Sequence, residues 1–229
     1  MLQTHRPSFR LAASIVSVGA LLAATGASAG IVTATVTADN HYSIYATIDG
    51  VFTKVGGNET DTVGAPGAYN WSMAETFTFN ASGPIYIAAW SDDATAQGLL
   101  AQLQTDAGMI FSGDYRWEVF ATGIDLDTGA PHPLATDVAS QIALADANSW
   151  WAAPYVGDTN VSGTLPWSKI ADIADEARWM WNSVDGSDAL TIGRNHDEYL
   201  IFRMAAIPPP ATGLALAGAG LVMSRRRRD

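Results

Sequence analysis

The chain has no cysteine, so neither disulfides nor thiolate chemistry contributes to its stability or reactivity. Histidine is scarce at four residues, and the motifs that would give it catalytic or metal-binding work are missing. There is no H-E-x-x-H pair, no G-x-S-x-G nucleophile turn and no glycine-rich phosphate loop. Basic residues are few: 12 against 23 acidic ones, a net charge of −11. No uncharged apolar run reaches the ~20 residues that span a bilayer, and no internal repeat is evident. With so little chemistry in recognisable order, the informative segments are the two ends.

At the amino end, Arg6 and Arg10 make a positive region, 11–24 is apolar, and Ala27-Ser28-Ala29 is a small-residue cleavage site that would leave Gly30 first. That order is expected of a secretory signal peptide over 1–29, Ala27 and Ala29 marking the cut. At the other end, Pro208, Pro209 and Pro210 precede the apolar stretch 211–224, and Arg225, Arg226, Arg227 and Arg228 follow it. Prolines hold the backbone extended where a processing enzyme could read it. The 14-residue apolar stretch partitions into lipid as a short helix, and the arginines hold the C-terminus in the cytoplasm.

This layout resembles the PEP-CTERM sorting signal of exported bacterial proteins, in which a Pro-Glu-Pro motif, a short apolar transmembrane helix and a basic end follow one another. Pro208 and Pro210 match the motif's prolines; Pro209 stands where the family has glutamate. The resemblance implies transient anchoring over 207–229, cleavage near the prolines by an exosortase-like membrane enzyme, and release to the cell surface or extracellular matrix.

Loss of both ends would leave 30–206 as one domain with six basic and 22 acidic residues, a net charge of −16. So acidic a domain repels nucleic acid and anionic lipid. Its pattern reads as all-β. Period-two alternation predicts strands at 31–37 and 42–48, and Asp49-Gly50 predicts a tight hairpin into 51–55, closed by Gly56-Gly57-Asn58. Further short strands are expected at 76–79, 85–90, 99–103, 117–121, 178–182 and 199–204. Only 137–148 reads as helix. Strands of this length between turn clusters predict an antiparallel two-sheet sandwich.

A second resemblance covers most of the domain. The run Asp39-Asn40-His41-Tyr42-Ser43-Ile44-Tyr45, then Trp71, Glu75-Thr76-Phe77-Thr78-Phe79, 85–90, Gly98-Leu99-Leu100-Ala101, Ala177-Arg178-Trp179-Met180-Trp181 and 199–203 together resemble a galactose-binding-like jelly roll. The resemblance implies a sandwich often used for carbohydrate binding, with no particular ligand.

Among the eight tryptophans, Trp71, Trp90, Trp117, Trp179 and Trp181 sit in or beside predicted strands and are expected in the core. Trp167, after Pro166, stays open. Adjacent Trp150 and Trp151, in an expected loop with Ala152-Ala153-Pro154-Tyr155, are the candidate ligand platform, because flat aromatic faces cover the apolar faces of pyranose rings. Asp125 and Asp127, ahead of Gly129, are a candidate Ca²⁺ pair; Asp92-Asp93 and Asp185-Gly186-Ser187-Asp188 are similar acidic turns, a role acidic residues also fill by local hydrogen bonding. Of the histidines outside the leader, His41, His132 and His196, only His196 beside Asp197 and Glu198 has the setting of a base. The expected function is a non-enzymatic surface or matrix protein with polysaccharide as candidate partner. The alternative is a secreted carbohydrate-active hydrolase, whose two carboxylates cannot be picked out among 22.

Overall fold

The computed structural model describes residues 30–58, 71–91, 96–126, 130–163, 166–190 and 198–204. The two segments expected to be terminal signals, Asp127, His196 and Asp92-Asp93 lie outside them. Two antiparallel sheets pack as a sandwich. The first has the order β4(Glu75–Ala81), β1(Gly30–Asp39), β6(Gly98–Thr105), β10(Arg178–Trp181) and β9(Tyr155–Thr159), with β7(Gly108–Phe111) also paired to β6. The second runs β3(Val51–Gly57), β2(His41–Ile48), β5(Ile85–Trp90), β11(Leu200–Met204) and β8(Trp117–Ala121).

Alternation decides what enters the core. On β1, Val32, Ala34, Val36 and Ala38 point inward; on β6, Leu99, Ala101 and Leu103 do so. They meet Ile44, Ile87, Leu200 and Phe202 from the second sheet, all without exposed surface. The intervening threonines of β1 face away, where Thr33 and Thr35 hydrogen-bond Thr78 and Thr76 on β4 at 3.1 and 3.0 Å. Such cross-strand pairs fix register. The β2–β3 hairpin turns at Asp49 and Gly50, with φ of 50° and 80°, the doubly positive pair of a primed turn. The chain leaves β1 for the second sheet at Asn40, and Asn58 holds that corner: its Oδ1 accepts from the Tyr42 amide at 2.9 Å and its Nδ2 donates to the Asn40 carbonyl at 2.6 Å.

Each outer face is covered in its own way. Residues 166–177 lie over the first sheet, tied by the fully buried Asn160. Its Nδ2 donates to the Ile170 and Ile173 carbonyls at 2.9 and 2.8 Å, and its Oδ1 accepts from the Ile170 amide at 2.7 Å. The helix α1(Ala135–Asn148) covers the second sheet, burying Val138, Ile142 and Ala145 against Tyr45, Ala88 and Ile201. Val138 and Ile142 contribute about 1.5–3 kcal/mol each by leaving water.

Four of the five expected core tryptophans, Trp90, Trp117, Trp179 and Trp181, are buried. Trp71 is not: it is 36% exposed, because it precedes β4 in a turn whose backbone, not its indole, is bound, the Trp71 carbonyl accepting from the Thr37 hydroxyl at 2.8 Å. Trp167 joins the buried set, stacked on Trp179 at 4.0 Å between centroids and donating Nε1–H to Asp39 at 2.7 Å. Gly98 is required beneath them, since a Cβ there would stand 2.7 Å from the Trp179 ring.

Candidate functional site: an aromatic platform beside Arg203

The C-terminal end of α1 sets Trp150 and Trp151 in place. Ser149 adopts the left-handed conformation, φ 56° and ψ 44°, and its amide donates to the Asp146 carbonyl while the Trp150 amide donates to that of Ala145. This pair of bonds is the Schellman arrangement, which ends a helix and turns the chain sharply. Ala152 then exchanges both backbone hydrogen bonds with Val119, at 2.8 and 2.9 Å, on the edge strand β8. Between those two fixed points the tryptophans have little freedom. They lie over the outer face of the second sheet at the β8 side.

The sheet register supplies their neighbours. Tyr86 of β5, Arg203 of β11 and Glu118 of β8 stand in one cross-strand row. The Arg203 guanidinium donates to Glu118 Oε2 from Nε at 2.9 Å and from Nη2 at 2.7 Å, and from Nη1 to Asp146 Oδ1 of α1 at 2.8 Å. Trp151 roofs this group. Its ring lies 4.0 Å from Arg203 Cζ, and its Nε1 donates to the same Asp146 Oδ1 at 2.7 Å. Cation–π attraction and the charge-assisted bonds act on one arginine at once.

An aromatic series continues from this group in both directions. Trp151 touches Tyr86 and Phe120, with centroids 6.3 and 6.0 Å apart; Tyr86 meets Phe52, and Phe52 stacks on Tyr45. Trp150 stacks on Phe120 at 5.9 Å with an 18° angle between planes, and is 52% exposed. Thus the two neighbours differ: Trp151 is half-buried and bound on its polar edge, whereas Trp150 presents indole to solvent over an aromatic floor. Burial pushes the Tyr86 hydroxyl upward, opposed by nearby Arg203. Tyr45 is raised further for the same reason, and its hydroxyl donates to the Pro133 carbonyl on the segment entering α1.

Sequence reading singled out the two tryptophans but missed Arg203, Glu118, Asp146, Phe120 and Tyr86. One signal was available: Arg203 is a charged residue inside the otherwise apolar run Leu200-Ile201-Phe202-Arg203-Met204, and a charge in such a strand needs a partner.

The other candidates are not gathered here. Asp125 is exposed in the loop after β8, and Asp127 is outside the described residues. Among the described residues no group of three or more His, Asp or Glu could hold a metal ion. In the turn at Asp185, its Oδ1 accepts from the Ser187 amide and hydroxyl at 3.0 and 2.5 Å, and Asp188 Oδ1 accepts from the Leu190 amide at 2.8 Å, the local bonding that favours acidic residues in turns. Glu198 accepts from the Gly123 amide. His41 and His132 flank Trp90 on the outer face of the second sheet, stacked and edge-on, and His132 Nδ1 is hydrogen-bonded to the Ser43 hydroxyl. Neither His41 nor Ser43 has exposed surface.

Among the described residues no helix is long and apolar enough to cross a membrane. Compared with known proteins, the chain matches no family model, no curated protein and no solved structure.

Proposed function

We propose that this protein is an exported, non-enzymatic component of the cell surface or extracellular matrix that holds polysaccharide on the Trp150 platform. The observation that carries the reading is Trp150 itself, 52% exposed yet stacked on Phe120. An indole whose ring is supported from beneath offers a flat face to the axial C–H groups of a sugar. Trp151, Arg203 and Asp146 add rigidity and polar atoms at the rim, the mixture expected of a site for a small polyhydroxylated unit.

Export rests on the signal-peptide pattern ending at Ala27 and Ala29, and surface delivery on the PEP-CTERM-like tail from Pro208 to Arg228. Signal peptidase and an exosortase-like enzyme are the processing partners in this reading. The galactose-binding-like resemblance agrees with the use proposed for the sandwich. No metal or cofactor is part of the proposal.

A glycan array probed with the protein and its Trp150→Ala variant tests the binding claim. Binding by the parent and its loss in the variant support it; equal binding by both overturns it. Release of shortened glycan from a bound spot would favour the hydrolase instead. For the sorting claim, mass spectrometry of the mature C-terminus decides: a chain that keeps Arg225 to Arg228 on the cell surface contradicts processing.

A further inference from the structure

The charges around Trp151 limit what kind of polysaccharide the platform can accept. Arg203 carries one positive charge, and Glu118 and Asp146 two negative ones, so the ion group is negative by one. Its guanidinium is already occupied from three nitrogens, and the Trp151 ring lies over it. The carboxylates are less completely used. Glu118 holds the arginine through Oε2 alone, and Asp146 holds both Arg203 and Trp151 through Oδ1 alone. Their side chains remain 34% and 51% exposed. The ion group therefore offers acceptors, Glu118 Oε1 and Asp146 Oδ2, suited to sugar hydroxyl donors. Residues 30–206 as a whole carry −16, a field that opposes any polyanion within about a Debye length, ~8 Å at physiological salt.

Resting on the polysaccharide-binding reading of Trp150, we propose that the platform selects uncharged polysaccharide, whose ring stacks on Trp150 and whose hydroxyls donate to Asp146 and Glu118, and that it excludes polyuronates. The selectivity is electrostatic: the same stacking face is available to a uronate ring, but each carboxylate it brings meets like charge, with no free cation at the rim among the described residues. Neutralising either acid should relax the exclusion without touching the stacking face.

Affinity electrophoresis of the full chain tests this, in gels containing hydroxyethylcellulose, polygalacturonate or chitosan, at low salt and in 0.5 M NaCl. The expected result is retardation by hydroxyethylcellulose that salt leaves unchanged, and at least tenfold weaker retardation by polygalacturonate at low salt, the gap narrowing in 0.5 M NaCl. Glu118→Gln and Asp146→Asn should each raise polygalacturonate retention several-fold, while Trp150→Ala removes retention by hydroxyethylcellulose. Equal retention by the neutral and acidic polymers, with both lost in Trp150→Ala, overturns the selectivity and leaves the platform standing. Retention by chitosan alone, vanishing in salt, overturns it as well. No retention by any polymer, or full retention by Trp150→Ala, brings down the platform reading and the selectivity together. Should both acid variants fail to fold, the parent's salt series decides: a gap that 0.5 M NaCl does not narrow is not electrostatic and sinks the proposal.

Discussion

Arg203 of β11 lies with its Cζ 4.0 Å from the ring centroid of Trp151, and Asp146 accepts a hydrogen bond from both of them on the same oxygen. One arginine thus fastens the end of α1 to the middle of a sheet. Arg203→Ala would strand Glu118 and Asp146 without their cation and expose the underside of Trp151. A loss of about 1–3 kcal/mol is expected: the arginine is mostly buried and its packing is lost, while Glu118 and Asp146, 34% and 51% exposed, are partly screened by solvent once the cation is gone. Arg203→Lys keeps the charge but not the planar fork, so its loss should be smaller, about 1–2 kcal/mol. Urea unfolding measures both; equal stability of Arg203→Ala and the parent would show that the group contributes nothing.

The two adjacent tryptophans should separate stability from binding. Trp151→Ala removes contacts with Tyr86, Phe120 and Arg203 and is expected to cost about 2–3 kcal/mol, at or below the core range because the indole is only half-buried. Trp150→Ala should cost no more than about 1 kcal/mol while abolishing glycan binding. Thermal melts and the glycan array, run on both variants, check the division.

Ser149 occupies a left-handed position, φ 56°, that glycine takes without steric penalty. Ser149→Gly is expected to stabilise the protein by about 0.5–1 kcal/mol, read as a higher urea midpoint. A lower midpoint would mean that the serine side chain supports the turn in a way its backbone geometry does not reveal.

Asn160 satisfies two carbonyls and one amide of the segment covering the first sheet. Asn160→Asp removes both donors and sets a carboxylate against those carbonyls. A loss of about 2–4 kcal/mol is expected. Faster amide exchange at Ile170 than in the parent would locate the damage in this segment.

Alkaline stability follows from the tyrosines. Burial raises Tyr42, Tyr45 and Tyr86 above their ordinary value of 10.0, and pushes Tyr199 up to about 12, Asp137 adding to the shift. An unfolded tyrosine releases its proton near pH 10; the folded one holds it, so above pH 10 the native state binds more protons. Stability is therefore fully present below pH 10 and falls as pH rises from 10 to 12 at Tyr199, by up to about 1.4 kcal/mol per pH unit for each such group. Absorbance at 295 nm should show these phenols ionising together with unfolding. Their smooth ionisation at pH 10 in a chain that remains folded would contradict the burial.

Legibility in the sequence followed how local each signal was. Every strand read from alternation is present, and the Asp49-Gly50 turn stands where its dipeptide places it, because positive φ at both positions is a property of two residues. β7 and β9 were not read. The first is four residues long; the second contains Gly157 and Asp158, both poor strand formers, and is a strand only because β10 pairs with it across a register shift. Trp71 was misplaced since adjacency to a strand does not tell which way a turn residue points.

By itself, then, the sequence determined the class of fold and the two adjacent tryptophans, for alternation, turn dipeptides and residue type act within a few positions of the chain. Only the tertiary structure decided that Trp150 is open while Trp151 is bound, and that Arg203 is their companion. Glu118 and Asp146 lie 85 and 57 residues from Arg203 in sequence, and the meeting of the three depends on the order and register of β8, β11 and the helix laid across them. Sheet order is settled by the fit of whole faces against each other, a sum over many side chains that no single residue announces.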